Sequence, residues 1–271
     1  MVDYRDRISV TVWIVLLGLT ATLLVKLPST TLVWIAFGSP LSVELSTNTL
    51  LGALLIGLTA SGTEAVVRAH PLARAGRLRS RWIFWALPCA VISVAALLLP
   101  TAPTRLTWLA GLALTGAALG LTLVATFHAI APEDRGYRPA RIVLNLLTYA
   151  AVLLLFLVVY RQRARSLFSA TLIVTISALL ALELLRGTGR PLRSVALYAL
   201  IVGAVLGQAT WTLNYWRLPG LTGGLLLLLG FYLLVGLAHQ GLLRRLTRRV
   251  LLEFGLVTLV SLALIWLLAP K

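Results

Sequence analysis

The chain has 271 residues, 59% of them hydrophobic and only 12% charged, with a formal net charge of +16. A soluble domain is about a quarter charged, so a water-soluble globule is excluded. Nucleic-acid binding is excluded as well. A nucleic-acid binder gathers its basic residues on one soluble face, and here they lie in short links between apolar blocks.

Those blocks are about 20 residues long, the length a helix needs to cross ~30 Å of hydrocarbon. The strand-period alternation of a membrane barrel is absent. The pattern predicts an all-α, polytopic transmembrane helical bundle that forms a single integral membrane domain over residues 1–271. About nine spans are expected, at residues 8–27, 48–67, 82–99, 108–130, 141–160, 167–185, 194–213, 218–238 and 250–268. Between the first two, Gly38-Ser39-Pro40 interrupts an apolar run and Glu44 follows closely. That piece is too short and broken to cross, and is expected to be interfacial or re-entrant. Pro88 is expected to kink the third span and Pro100 to end it.

The connector from Arg68 to Arg81 carries five arginines and no acid, so the positive-inside rule keeps it in the cytoplasm. The alternation of spans then places 17 basic residues on the inner side and 7 on the outer side. The expected location is a bacterial inner membrane with a cytoplasmic N-terminus. Trp82 and Trp85 fall at an inner boundary, and Trp108, Tyr160, Trp211, Tyr215, Trp216 and Trp266 at outer ones, as interfacial aromatics do. Gly116 with Gly120, and Gly203 with Gly207, form small-residue faces on which helices can approach closely. No repeat between halves is visible, so the inverted-repeat sign of many transporters is missing.

Chemistry in a membrane is sought first among the acids, because a carboxylate there is expensive. Asp3, Asp6, Glu133 and Asp134 lie in aqueous segments. Glu64 precedes Arg68 by four residues, Glu183 precedes Arg186 by three, and Glu253 follows Arg249 by four. At helical spacing each forms an inner-boundary ion pair. The functional alternative brings these acids together with His128 and Tyr149 or Asn145 in one cavity. Glu44 is the single acid assigned to the outer side. With Arg105, Arg161, Arg163, Arg165, Gln208, Asn214 and Arg217 it forms the candidate outer-face ligand- or lipid-binding set. The basic members suit anionic headgroups or an acidic partner surface.

Cys89 is the only cysteine, which excludes an internal disulfide and a thiolate metal site. His70, His128 and His239 do not form a metal-ligand pattern with the acids. Phosphate-loop, dinucleotide, zinc-protease and nucleophile-elbow motifs are absent. No metal, cofactor or catalytic residue is predicted.

The runs Leu41-Ser-Val-Glu-Leu-Ser-Thr-Asn-Thr-Leu50, Ala60-Ser-Gly-Thr-Glu64, Tyr137-Arg-Pro-Ala-Arg-Ile-Val-Leu-Asn-Leu-Leu-Thr-Tyr149 and Ala181-Leu-Glu-Leu-Leu-Arg186 resemble an uncharacterised family of bacterial multi-pass membrane proteins. The resemblance implies no activity and carries over no functional residue. Three functional readings follow. The first is a non-catalytic subunit or scaffold that packs against membrane-protein partners and lipid. The second is a small transporter or lipid-handling protein with an outer-face polar site. The third is a membrane-embedded transferase, which needs an acid and a histidine on a lipid-accessible cleft.

Overall fold

A computed structural model describes residues 4–25, 30–36, 39–76, 78, 80–162, 166–216 and 218–268. These residues cluster into two compact units, Met1–Val143 and Leu144–Lys271.

The first unit opens with α1 (Tyr4–Leu24), a hairpin of β1 (Thr30–Ala36) and β2 (Ser39–Leu45), and α2 (Thr47–Ala69). The short α3 (Pro71–Arg74) and a 3-10 turn (Trp82–Trp85) lead into α4 (Ala86–Leu98), and α5 (Arg105–His128) completes it. The antiparallel hairpin pairs Thr30 with Leu45, Thr31 with Glu44 and Ala36 with Ser39. The piece expected to be interfacial or re-entrant is thus built as paired strands. The run Thr30-Thr-Leu-Val-Trp-Ile is rich in β-branched and aromatic residues, which favour extended backbone, and its pairing satisfies N–H and C=O groups that an irregular segment would leave open. Ser46 then caps α2, its hydroxyl accepting from the Thr49 N–H at 3.3 Å. Pro88 acts as a change of winding. It has no N–H to give the Phe84 carbonyl, and the chain up to Trp85 is wound as 3-10 before α4 begins.

Packing in this unit uses small residues. A side chain at Gly62 of α2 would meet Thr11 of α1, and one at Gly116 of α5 would meet Leu16. Gly120 lies opposite Val12. So α1 rests on small-residue faces of α2 and α5. The buried hydroxyls of Thr59 and Thr63 donate to the Leu55 and Thr59 carbonyls of the preceding turn, both at 2.7 Å.

The division between the units falls within α6 (Tyr137–Gln162). This helix starts ahead of the expected span because Pro139 is tolerated in a first turn, where its missing N–H is not needed. The second unit continues with α7 (Ser166–Leu185), α8 (Leu192–Tyr215), α9 (Gly220–Leu242) and α10 (Arg248–Leu268). The α7–α8 seam is the tightest. A Cβ at Gly203 would come within 2.7 Å of the Val174 carbonyl oxygen, and one at Gly207 would meet the Val174 side chain. The Tyr160 hydroxyl of α6 donates to the Leu213 carbonyl at the end of α8, at 3.1 Å. Tyr149, Phe156 and Phe231 meet edge to face in the core.

Eight of the described helices are long and apolar enough to cross a bilayer. The ninth long helix, α10, exposes Leu252, Leu256 and Leu259. The chain is a multi-pass membrane protein.

Two glycines separate packing from propensity. Gly203→Ala is expected to destabilise the detergent-solubilised protein by about 1–3 kcal/mol through overpacking. Gly255→Ala on α10, where a Cβ meets nothing within 4 Å, is expected to gain about 0.5–1 kcal/mol from helix propensity. Melting curves of both variants check this, and equal shifts would refute the close α7–α8 contact.

Candidate functional site

Four residues of α2, Gly57, Ser61, Glu64 and Arg68, recur at helical spacing and so share one stripe. The opposite stripe, with Leu55, Thr59, Thr63 and Val66, is buried. Beyond α2 the chain turns back, and Gly76 takes the left-handed conformation (φ 71°) that glycine adopts without penalty. The return brings Ser80, Arg81, Trp82 and Trp85 opposite the open stripe. Arg7 of α1 closes a third wall. Together these residues line a cleft of about 760 Å³.

Glu64 is the hub. Its Oε1 accepts from the Nε of Arg68 at 2.8 Å and lies 3.0 Å from the Nε of Arg81, and its Oε2 accepts from the Trp85 indole at 3.2 Å. The Glu64 side chain is only 13% exposed, against 61% for Arg68 and 39% for Arg81. Both arginines present Nε to the acid, and among the described residues their Nη groups hold no hydrogen bond. Arg7 spends one Nη on the Ala65 carbonyl at 3.0 Å, while its buried Nε has no partner among the described residues. Two guanidiniums therefore face one carboxylate with Nη donors left over, and Arg7 lines the same cleft.

The expected Glu64–Arg68 pairing is thus one edge of a larger clasp. Sequence spacing shows Arg68 but not Arg81, Trp85 or Arg7, which arrive from a turned-back loop and a different helix. In the second unit Glu183 and Arg186 form a two-point fork, with Nε and Nη2 each 2.6 Å from the carboxylate. Glu183 is nearly fully buried. Arg249 and Glu253 are exposed and form no ion pair among the described residues.

The outer-face candidates fall in both units. Arg105 is exposed at the start of α5 and Gln208 is exposed on α8. Arg161 lies in the last turn of α6 with its stem against Gly220. Asn214 donates to the Ser169 hydroxyl at 3.0 Å. Glu44 lies in β2 opposite Thr31. Its side chain, and Arg163, Arg165 and Arg217, lie outside what the structure describes.

At the foot of α2, His70 is buried. Its Nδ1 accepts from the Leu72 N–H at 3.2 Å, and its ring meets Phe127 edge-on. Tyr4 stacks on the other side of that cluster, at 4.1 Å from Phe127. His128 Nδ1 lies 2.8 Å from Asp134 Oδ2, and the Gly136 N–H donates to Oδ1. Burial pulls the His70 pKa down, with Asp134 opposing and His128 adding to the fall. The Gly136 N–H and the His128 contact hold Asp134 below the usual carboxylate range. Among the described residues no group of three or more His, Cys, Asp or Glu is placed to hold a metal ion.

Residues 27–268 match the family described as protein of unknown function (DUF5656). The chain belongs to this family. No curated protein and no solved structure matches it. The DUF5656 match covers all of the elements described above except α1, so Glu64, Arg68, Arg81 and Trp85 lie inside the family region and Arg7 lies outside it.

Two measurements probe these groups. Glu64→Gln is expected to lower the melting midpoint by an amount worth about 1–3 kcal/mol, because charged hydrogen bonds to two guanidiniums are lost. A transferase with a purely chemical Glu64 predicts an unchanged midpoint. For His70, the folded chain favours the neutral ring while the unfolded chain takes up a proton near pH 6.5. Its stability contribution is therefore complete above that pH and declines as pH falls below it. Asp134 has the same sign, but declines only in the carboxylate range. His70→Asn keeps a capping acceptor and is expected to flatten the fall in melting midpoint between pH 7.5 and 5.5. An undiminished slope would assign that fall to other groups.

Proposed function

We propose that this DUF5656 protein is an integral membrane protein that handles an anionic, phosphate-type ligand in the Glu64 cleft, without catalysing its conversion. The observation that carries the reading is two guanidiniums held on a single carboxylate with their Nη edges unspent, and a third arginine, Arg7, lining the same cleft. Planar guanidinium forks are suited to phosphate and carboxylate oxygens. One carboxylate does not balance them, and the remaining like-charge repulsion would be relieved by a bound anion.

The lipid-handling reading thus has its best support on the arginine-rich connector rather than on the outer-face set. In the nine-span arrangement, with a cytoplasmic N-terminus in a bacterial inner membrane, this cleft opens to the cytoplasmic side. Glu64 acts as a positioning residue there. Its oxygens are engaged by Arg68, Arg81 and Trp85, and no histidine is among the described residues that line the cleft, so the acid–histidine pair of the transferase reading lacks support.

The packing-subunit reading comes second. It is supported by the outward apolar residues of α10, Leu252, Leu256 and Leu259, which suit either lipid or a partner helix.

The anion reading is tested with soluble probes. Inorganic phosphate and glycerol phosphate are expected to raise the melting midpoint of the purified protein. The double variant Arg7→Gln/Arg81→Gln should abolish that rise, while chloride at equal ionic strength should not reproduce it. No shift with either probe, or an equal shift in the variant, would overturn the reading.

A further inference from the structure

The cleft does not end at its arginines. A second depression of about 390 Å³ shares Arg7, Ser61 and Ala65 with it. It continues between α1 and α2, where Val10, Ile14, Val15 and Leu58 form its walls. Asp6 lies at its polar end, and Thr11 and Gly62 form part of its floor. The groove follows α1 from Arg7 to Val15, about 12 Å at 1.5 Å per residue. Val10, Ile14 and Leu58 are 57%, 46% and 39% exposed, so nothing among the described residues fills it.

A cationic pocket that opens into an apolar trough has the shape of an amphiphile. Resting on the anion reading above, we infer that the occupant is an anionic glycerophospholipid. Its phosphate lies among Arg7, Arg68 and Arg81, and one acyl chain lies along the trough between α1 and α2.

Each part has its physical reason. Among the described residues, three arginines and one glutamate leave the pocket net positive by two even when the Glu64 clasp is intact. The Nη edges of Arg68 and Arg81 supply donors for phosphate oxygens, and Arg7 adds its charge from the α1 wall. Ser61 and Ser80 add hydroxyls for a glycerol or headgroup oxygen. Trp82 is 47% exposed at the rim, where an amphipathic ring meets the headgroup layer. Gly57, Ala60 and Ser61 keep the α2 wall low, so that a headgroup fits against the helix. A zwitterionic lipid has the same chain but places a cation near three guanidiniums, and is disfavoured by like-charge repulsion.

The test uses the full chain in mild detergent and native mass spectrometry. The probes are dioleoyl phosphatidylglycerol, dioleoyl phosphatidylcholine and soluble glycerol phosphate. Wild-type protein is expected to retain one phosphatidylglycerol at least tenfold more tightly than phosphatidylcholine. Arg81→Gln should weaken that retention about fivefold, in line with the usual worth of one basic residue at an anionic lipid surface. Leu58→Trp fills the exposed trough without changing charge. It should weaken phosphatidylglycerol retention severalfold and leave the melting response to glycerol phosphate intact. Val10→Trp repeats this from the α1 side, should Leu58→Trp disturb folding by circular dichroism.

Equal retention of the two lipids, as for ordinary annular contact, would overturn the inference. So would indifference to both trough-filling variants. If glycerol phosphate still stabilises the protein in either case, the anion reading stands and only the lipid assignment falls. If neither lipid nor soluble anion binds, both fall.

Discussion

A backbone amide in hydrocarbon has no water to turn to, and every other feature of this chain follows from that constraint. Helices satisfy the main chain internally, which is why the apolar blocks form long helices. The two-stranded hairpin of β1 and β2 pairs only its facing edges, so its outer edges need water or headgroups rather than hydrocarbon. Polar side chains inside the helices follow suit: the hydroxyls of Thr59, Thr63, Thr148 and Thr210 all donate to carbonyls four residues earlier. With lipid as apolar as leucine, association of these helices depends on close contact. Gly62 and Gly116 let α1 settle on α2 and α5, and Gly203 and Gly207 bring α8 onto the backbone of α7.

Against that background the two best-placed ion pairs do different work. Arg186 gives both Nε and Nη2 to Glu183 in a parallel fork. A fork of that kind completes the acid and engages one whole edge of the guanidinium. Burial is tolerable because each charge meets its counterpart at short range. Glu64 is shared. It takes only the Nε of Arg68 and of Arg81 and uses its other oxygen for the Trp85 indole. One negative charge thereby holds two positive ones at the same cleft, and neither arginine is consumed. The first arrangement closes a charge off, whereas the second displays charge toward an opening.

Much of this was legible in the sequence. The composition and the blocks of apolar residues gave the multi-pass helical class. The glycines singled out at 116, 120, 203 and 207 lie at helix contacts, and Glu64–Arg68 and Glu183–Arg186 are paired. The spacing argument worked where both partners sit on one helix turn. It failed for Arg249 and Glu253, because an exposed pair gains little from closing and entropy keeps it apart. Strands over residues 30–45 were missed because apolar runs were weighed by length for crossing, while the β-branched content of Thr30-Thr-Leu-Val-Trp-Ile went unweighed. Arg81, Trp85 and Arg7 could not be assigned to Glu64 from spacing, since a turn at Gly76 and a separate helix decide their meeting. One signal was available: Gly57, Ser61, Glu64 and Arg68 repeat at helical spacing, a polar and small stripe on a helix whose other side is apolar.

That stripe also explains why the cleft is where it is. Small residues on a membrane helix ordinarily invite a neighbour, and on α2 Gly62 does receive Thr11 of α1. Gly57, by contrast, has open space above it: a Cβ there would meet nothing within 4 Å. Both glycines lie on the same helix, fewer than two turns apart, yet only one is covered. The difference is the charge at the end of the uncovered stripe. A helix packing over Gly57 and Ser61 would have to bury Glu64 with Arg68 and Arg81 beneath it, and desolvating three ionised groups opposes any gain from contact. The charges therefore keep the neighbour away, and the small residues turn that absence into a hollow. Its walls are apolar toward Leu58 and Ile14 and cationic toward Arg7 and Arg81, because the helices that form them run from the arginine-rich connector into the apolar spans.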